Sequence, residues 1–346
     1  MRRILMIAAA LCLGACGTET TDGQSQAIQD PSGDAQVVAD VADVAAEVTP
    51  NDPNVWHEPC PIDEREQRFI DVGDVTLNVA CRGAGPTVVF LHGFPEFHYS
   101  WHKVMDELAS EYRLVAPDQR GYNTSDKPEP VEAYELPHLM EDILNLLPLI
   151  SDEPVILVAH DWGGPVGWAV AHHPDAHLRA FLSTNGPHPA RFTWLIENDP
   201  AQAEASGYKD FFRLEGSEAY FSEQTLTEQF GSFLNEEDLA ISMEAWMQPN
   251  AIKSGLNWYR ANVLTVESVE AQMANLNPTV TVPTTVMWGL DDDAVLPQNA
   301  QELEPWVEDL QVETFEGVDH WIEHRIPEEI ARAIRELDAR GSLASP

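Results

Sequence analysis

The stretch "PVILVAHDWGGPVGWAVAHHP", residues 154–174, decides the fold. Its first part is a short apolar run with β-branched residues, as expected of a strand buried on both faces. Two glycines follow almost at once, and then small and apolar residues at helical spacing, ending at "HHP". Strand, sharp turn and helix present one side chain at the apex, at the carboxyl end of the strand and over a helix N-terminus. That side chain is Asp161.

Outward from this turn the pattern repeats. "RFIDVG" and "VTLNVACRG" read as two strands joined by a tight turn at Gly73-Asp74. "PTVVFLHG", "YRLVAPDQRG", "LRAFLSTNG", "VPTTVMWG" and "LQVETFEG" read as further strands. Between them "SWHKVMDELAS" and "LPHLMEDILNLLPLI" have helical spacing, and "PEEIARAIRELDARG" closes the chain. Alternating strands and helices predict an α/β fold, with a mostly parallel, doubly wound sheet and helices on both faces. The alternation breaks over residues 187–278, which are aromatic-rich and helical in spacing. A helical insertion at strand ends makes a lid and a pocket. The predicted organisation is a signal peptide at 1–15, a linker at 16–55, core at 56–186, lid at 187–278 and core again at 279–340.

The 346 residues are 44% hydrophobic, enough for a sizeable core. The balance of 58 acids against 19 bases gives a formal charge of −39, which repels phosphate backbones and excludes nucleic-acid binding. The acids are scattered, as on a solvated surface. At the N-terminus, "MRRILMIAAALCLGACG" has a basic start, an apolar stretch and small residues, the layout of a secretory signal. "LGAC" resembles a bacterial lipobox, which implies cleavage before Cys16 and lipid on its thiol. The lipid would hold the protein at a membrane surface outside the cytoplasm, the outer membrane favoured, without a spanning helix. An ordinary secretory signal leading to the periplasm or medium is the alternative. Residues 18–55 are polar or low in complexity and read as a spacer. Cys60 and Cys81 remain. An extracytoplasmic compartment permits a disulfide between them, worth about 3 kcal/mol. Two separate buried thiols are the alternative.

A sheet of this kind gathers its functional groups on loops at the carboxyl ends of strands. Four such loops carry suitable residues: "HGFPE" at 92–96, the turn with Asp161, "WGLDDDAVLP" at 288–297, and "GVDHWIEH" at 317–324. The order is a nucleophile, an acid and then a histidine. The motifs "HGFPE", "GYNTSDKP", "HDWGG", "NGPHP", "NWYR", "WGLDDDAVLP" and "DHW" span core and lid. With them the chain from about Cys60 onward resembles the epoxide hydrolase branch of the α/β-hydrolase superfamily. "HGFP" and "HDWGG" are shared with haloalkane dehalogenases.

Chemistry explains the aspartate. A carboxylate attacking an ester would form a reactive anhydride. A carboxylate attacking saturated carbon forms an alkyl ester, which water opens at the aspartate's own carbonyl carbon. Asp161 is already ionised near neutral pH and needs no base to attack. The resemblance implies that His320 activates the water and Asp292 orients His320, with Asp291 and Asp293 as turn residues. It implies an oxyanion hole from the amides of Phe94 and Trp162. It also implies two lid phenols, Tyr259 and Tyr208, donating to the ring oxygen; the residues around Tyr208 depart from the family pattern. No cofactor and no metal are implied. The implied substrate is a small apolar epoxide, opened to a vicinal diol. A haloalkane or haloacid dehalogenase with the same triad is one alternative, and a non-catalytic, lipid-anchored binding protein on a hydrolase fold is another. Phe94 after "HG", where dehalogenases often carry Asn, and the lid phenol favour the epoxide. His172, His173 and His177 read as exposed at a helix end, His98 and His102 as loop and helix-surface residues, and His188 as structural.

Overall fold

The structure is a computed structural model, and it describes residues 54–263 and 265–344. The signal reading, the lipidation reading at Cys16 and nearly all of the linker fall outside the described residues. No helix among the described residues is long and apolar enough to cross a membrane.

Eight strands form one sheet: β1 Glu66–Asp71, β2 Thr76–Arg82, β3 Thr87–Leu91, β4 Arg113–Pro117, β5 Val155–His160, β6 Leu178–Thr184, β7 Thr284–Gly289 and β8 Leu310–Phe315. Their order is β1-β2-β4-β3-β5-β6-β7-β8. Only β1–β2 and β2–β4 are antiparallel; every other pairing is parallel. The tight turn after β1 uses Gly73 at φ 110°, a backbone conformation that L side chains rarely adopt.

Strand residues point alternately to the two faces, so the buried runs split between two cores. Val88, Phe90, Ile156 and Val158 face one side. There they meet Trp101, which stands just before α1 (His102–Leu108), Met105 and Leu108 of that helix, and Ile330 and Ile334 of the closing helix. Val89, Leu91, Leu157 and Ala159 face the other side. That face is covered by α2 (Leu136–Ile150) and α3 (Gly163–His172), through Leu139, Ile143, Val166 and Val170.

Between β6 and β7 the chain leaves the sheet and, among the described residues, builds seven α-helices: α4 Pro189–Asn198, α5 Pro200–Ala205, α6 Tyr208–Arg213, α7 Glu223–Phe230, α8 Glu236–Trp246, α9 Ala251–Ala261 and α10 Val266–Met273. Side-chain caps from Asp199, Ser222, Asn235 and Thr265 start four of them. After β8 come a single turn, α11 (Ile322–Arg325), and the closing helix α12 (Pro327–Ala344). Cys60 and Cys81 are joined by a disulfide with Cα atoms 5.9 Å apart, which ties the segment before β1 to β2.

Three histidines depart from the sequence reading. His98 and His102 are buried, not on a surface: His98 Nδ1 lies 2.7 Å from Asp118 just after β4, and His102 stacks on Tyr99 and lies 3.5 Å from Asp238 of the lid. His172 is fully buried, with Nδ1 donating to the Asn277 carbonyl at 2.8 Å.

Candidate active site

The turn after β5 holds Asp161 at φ 48°, a left-handed conformation that costs a non-glycine residue about 1–3 kcal/mol. Close packing sustains it. A Cβ on Gly93 would lie 2.3 Å from that of Asp161, and one on Gly164 would lie 2.4 Å from Gly186 Cα. Only glycines let the β3 and β6 loops close around this turn. The turn then feeds directly into α3, through a Gly164 N–H bond to the Asp161 carbonyl at 2.8 Å.

The two carboxylate oxygens of Asp161 have different partners. Oδ1 accepts the Phe94 amide at 2.7 Å, from the loop after β3. Oδ2 lies 3.3 Å from His320 Nε2, from the loop after β8. On its other side His320 Nδ1 donates to Asp292 Oδ2 at 2.7 Å. Asp292, on the loop after β7, is itself fixed. Its Oδ1 accepts the amides of Ala294 and Val295, both at 2.9 Å, and its Oδ2 accepts Asn185 Nδ2 at 2.7 Å. The structure therefore brings Asp161, His320 and Asp292 into one chain of contacts, with exposures of 7%, 3% and 3%, out of bulk water.

The electrostatics follow from that seclusion. Burial alone pushes the Asp161 carboxyl up, but the His320 contact and the Phe94 amide outweigh it and hold the carboxyl below its ordinary value. Burial alone pushes His320 down; the two carboxylates overcome it and hold its imidazolium well above the ordinary range. The resting arrangement is a cation held between two anions.

The lid closes the site from above. Tyr208 opens α6 and Tyr259 sits in α9; both are buried. Their ring centres are 6.2 Å apart, edge to face. Tyr259 meets Trp162 edge-on at 5.1 Å and Phe94 at 5.5 Å. Burial, reinforced by the charge of Asp161, keeps both phenols protonated. Phe212 and Phe221 pack on Phe94 and make this part of the wall apolar. Phe230 instead packs on Trp246 and Trp321.

Several residues that bear on the site carried no role in the sequence reading. Asn185 orients Asp292 and also accepts the Gly289 amide at 3.0 Å; it stands in the quoted "NGPHP" motif, which was the available signal. Beneath His320 lies a buried group of four ionisable residues. His160 Nε2 donates to the His320 carbonyl at 2.8 Å, and its Nδ1 lies 3.1 Å from Glu323. His324 Nε2 lies 2.6 Å from Glu96. Burial raises Glu96 to about 7 and Glu323 to about 8, and each carboxyl feels the charge of the imidazoles around it. Glu96, His160 and Glu323 offer ligand atoms within 4.8 Å of one another, a spacing that could also admit a small cation.

The comparisons with known proteins agree with this architecture. The family described as the alpha/beta hydrolase fold matches residues 86–323. The AB hydrolase superfamily protein YfhM of Bacillus subtilis (strain 168) is 34% identical over 281 residues, covering 78% of this chain and 96% of that protein. Epoxide hydrolase 4 of Mus musculus is 31% identical over 258 residues, 70% of each chain. The crystal structure of an epoxide hydrolase from Bacillus megaterium, in complex with an inhibitor, superposes with a TM-score of 0.72 at 27% identity, covering 78% of this chain and 99% of that one.

Proposed function

The chain belongs to the α/β-hydrolase fold family, beside relatives that are epoxide hydrolases, and from that premise we propose that it opens an apolar epoxide to a vicinal diol through an ester on Asp161. The observation that carries this reading is the placement of Asp161 Oδ2, facing His320 beneath two protonated lid phenols.

In the first half-reaction Oδ2 attacks a ring carbon, the carbon–oxygen bond breaks, and the ring oxygen takes a proton from Tyr208 or Tyr259. The buried phenols favour such donation to a developing alkoxide. Asp161 is now a neutral ester. His320 has lost one of its two anionic neighbours, and its proton returns to the tyrosinate. Neutral His320 then takes a proton from water as the water attacks Cγ of the ester. The negative charge grows on Oδ1, at the Phe94 amide; the Trp162 amide is the second donor in this reading. Collapse releases the diol with Oδ2, His320 gives the diol oxygen its proton, and the acid proton of Asp161 restores the imidazolium. The water oxygen stays in Asp161. A single turnover in 18O-labelled water is therefore expected to place the label in the Asp161 peptide and not in the diol. Label in the diol would refute the ester route.

The dehalogenase alternative needs N–H donors for a halide. Trp162 supplies one indole, packed edge-on against Tyr259, and Phe94 supplies no side-chain donor. Chloride release from haloalkanes with no diol from epoxides would reverse the choice, and inertness toward both would support a binding protein. The "LGAC" stretch supports lipid attachment at Cys16, outside the cytoplasm; Cys16→Ser is then expected to move the protein from the membrane fraction to the soluble one.

A further inference from the structure

Helix α3 starts beside the nucleophile and ends at both stems of the lid. Its residues Gly164, Trp168 and His172 recur at a spacing of four and so lie on one face. Each meets the segment that leads into the lid. Gly164 packs on Gly186, where an added Cβ would lie 2.4 Å from the Gly186 Cα. Trp168 Nε1 donates to the Gly186 carbonyl at 3.1 Å. His172 Nε2 lies 3.1 Å from Nε2 of His188, the residue just before α4. The segment that leads out of the lid, after α10, is held by the same histidine. His172 Nδ1 donates to the Asn277 carbonyl at 2.8 Å, and the Asn277 amide donates to the His172 carbonyl at 2.8 Å. One residue therefore joins the entry and the exit of the lid to the helix that follows Asp161.

The partners fix where the protons sit. A carbonyl only accepts, so His172 Nδ1 carries hydrogen, and Nε2 of the neutral ring is a bare acceptor. His188 Nε2 then donates to it, which leaves His188 Nδ1 bare, buried and without a hydrogen-bond partner. Both residues are fully buried. His188 stacks on Trp306 with ring centres 4.5 Å apart, and it meets Trp168 edge-on at 5.0 Å. The charged and titratable groups on the surrounding elements are engaged elsewhere or exposed. On α4, Arg191 pairs with Glu302 at 2.7 Å. After α3, His173 accepts the Asp175 amide at 3.2 Å, and Glu304, two residues before Trp306, is exposed. Among the described residues no carboxylate acts on either ring. A further proton would be an uncompensated charge among aromatic walls. Burial pushes both imidazoles down, and His172 pushes His188 further.

We propose that His172 and His188 are positioning residues, a clasp of two neutral imidazoles that holds the lid over Asp161 and releases it as the pH falls. When the stems of the lid part, the two rings reach water and regain the ordinary histidine value of about 6.5. The open state then takes up protons that the closed state refuses. The closed lid has its full advantage above about pH 6.5 and loses it as the pH drops from there toward the depressed closed-state values. Each histidine released changes the closed-to-open ratio by up to about ten-fold per pH unit. Tyr208 and Tyr259 both lie between the two stems in the chain, so release takes the phenols away from the nucleophile. The clasp itself stands on the lid geometry; its effect on turnover rests on the epoxide-opening reading.

Hydrogen exchange read by mass spectrometry on the full chain tests this, each rate being divided by that of an unstructured amide at the same pH. Protection of lid peptides, within residues 188–277, is expected to hold from pH 8 to pH 7 and to fall by about 10²-fold at pH 5.5, ten-fold from each histidine, while peptides from β3 and β5 keep theirs. This measurement needs no variant. His188→Gln keeps a donor toward His172 but takes up no proton. Its lid should match the wild type at pH 7.5 and lose about ten-fold less protection at pH 5.5. His172→Ala frees both stems and should lower lid protection already at pH 7.5. Lid protection that follows the sheet at every pH, an undiminished acid loss in His188→Gln, or a lid unmoved by His172→Ala would each overturn the proposal. The kcat/KM of the wild type on an epoxide should also decline toward pH 5.5 about ten-fold more than that of His188→Gln. A lid that opens as described in a protein that turns over no epoxide at pH 7.5 would overturn the epoxide reading and leave the clasp standing.

Discussion

His320 changes its charge environment within one catalytic cycle. In the resting site it faces Asp161 Oδ2 at 3.3 Å and Asp292 Oδ2 at 2.7 Å, and both hold its proton. Esterification neutralises Asp161, so the imidazolium loses stabilisation when a base is needed. The hydrolytic half-reaction, followed by stopped flow, should therefore show an apparent pKa below the resting pKa of His320 measured by NMR; equal values would contradict the sequence of steps. His320→Gln should still form the ester and then stall, leaving one substrate mass added to the intact protein. Asp161→Ala should lose at least about 10³-fold in turnover, the scale for removing a catalytic nucleophile. The residues behind these expectations were legible because each stands in a loop motif at a strand's carboxyl end. Asn185 was not, although it orients Asp292 across a sequence separation of 107 residues. The burial of His102 and His172 was hidden for a similar reason: Asp238 and Asn277, which meet them, come from remote parts of the chain. Periodicity reports which face of its own element a residue lies on and nothing of what later packs there.

At the level of elements, the strands and the long helices were legible because they carry strong periods. Helix α2 occupies residues 136–150, the same span as its quoted motif. The lid was legible as a helical insertion but not in its parts. Helices α5 and α6 have six residues each, too short for a 3.6-residue period to stand out. Tyr208 belongs to one of these short helices, and its sequence signal was accordingly weak. The structure nonetheless places its ring 6.2 Å from that of Tyr259, edge to face. If the pair shares the work of protonating the ring oxygen, Tyr208→Phe and Tyr259→Phe should each slow ester formation by about 10–10² fold, the range for losing one donor to a developing oxyanion. The double variant should lose far more than either, because each single variant keeps one donor. Rapid-quench measurement of the ester-forming step checks this. A single variant as slow as the double would mean that one phenol acts alone.

The whole molecule encloses ionisable groups that the unfolded chain would expose, and this makes its stability a function of pH. The disulfide between Cys60 and Cys81 is a separate contribution. It closes a separation of 21 residues, and its reduction should lower stability by about 3 kcal/mol, seen as a lower Tm in reducing buffer. The sharper case is the Glu96–Glu323 pair beneath His320. Burial raises both carboxyls, Glu323 from 4.5 to about 8. A raised carboxyl binds its proton more tightly in the folded state. Its stabilisation is therefore complete below the unfolded value, declines as the pH climbs, and is gone once the folded value is passed. Other groups titrate as well: Lys209, pushed down to about 7, acts in the opposite direction in the same range. The absolute stability curve thus mixes signs, whereas the difference between the wild type and Glu323→Gln isolates one carboxyl. Glutamine keeps the shape, but it never ionises. The variant should gain on the wild type by up to about 1 kcal/mol per pH unit between pH 6 and 8, with no further gain above that. Urea unfolding of both proteins across this range measures the difference. A constant offset would mean that Glu323 does not carry its proton into the folded state.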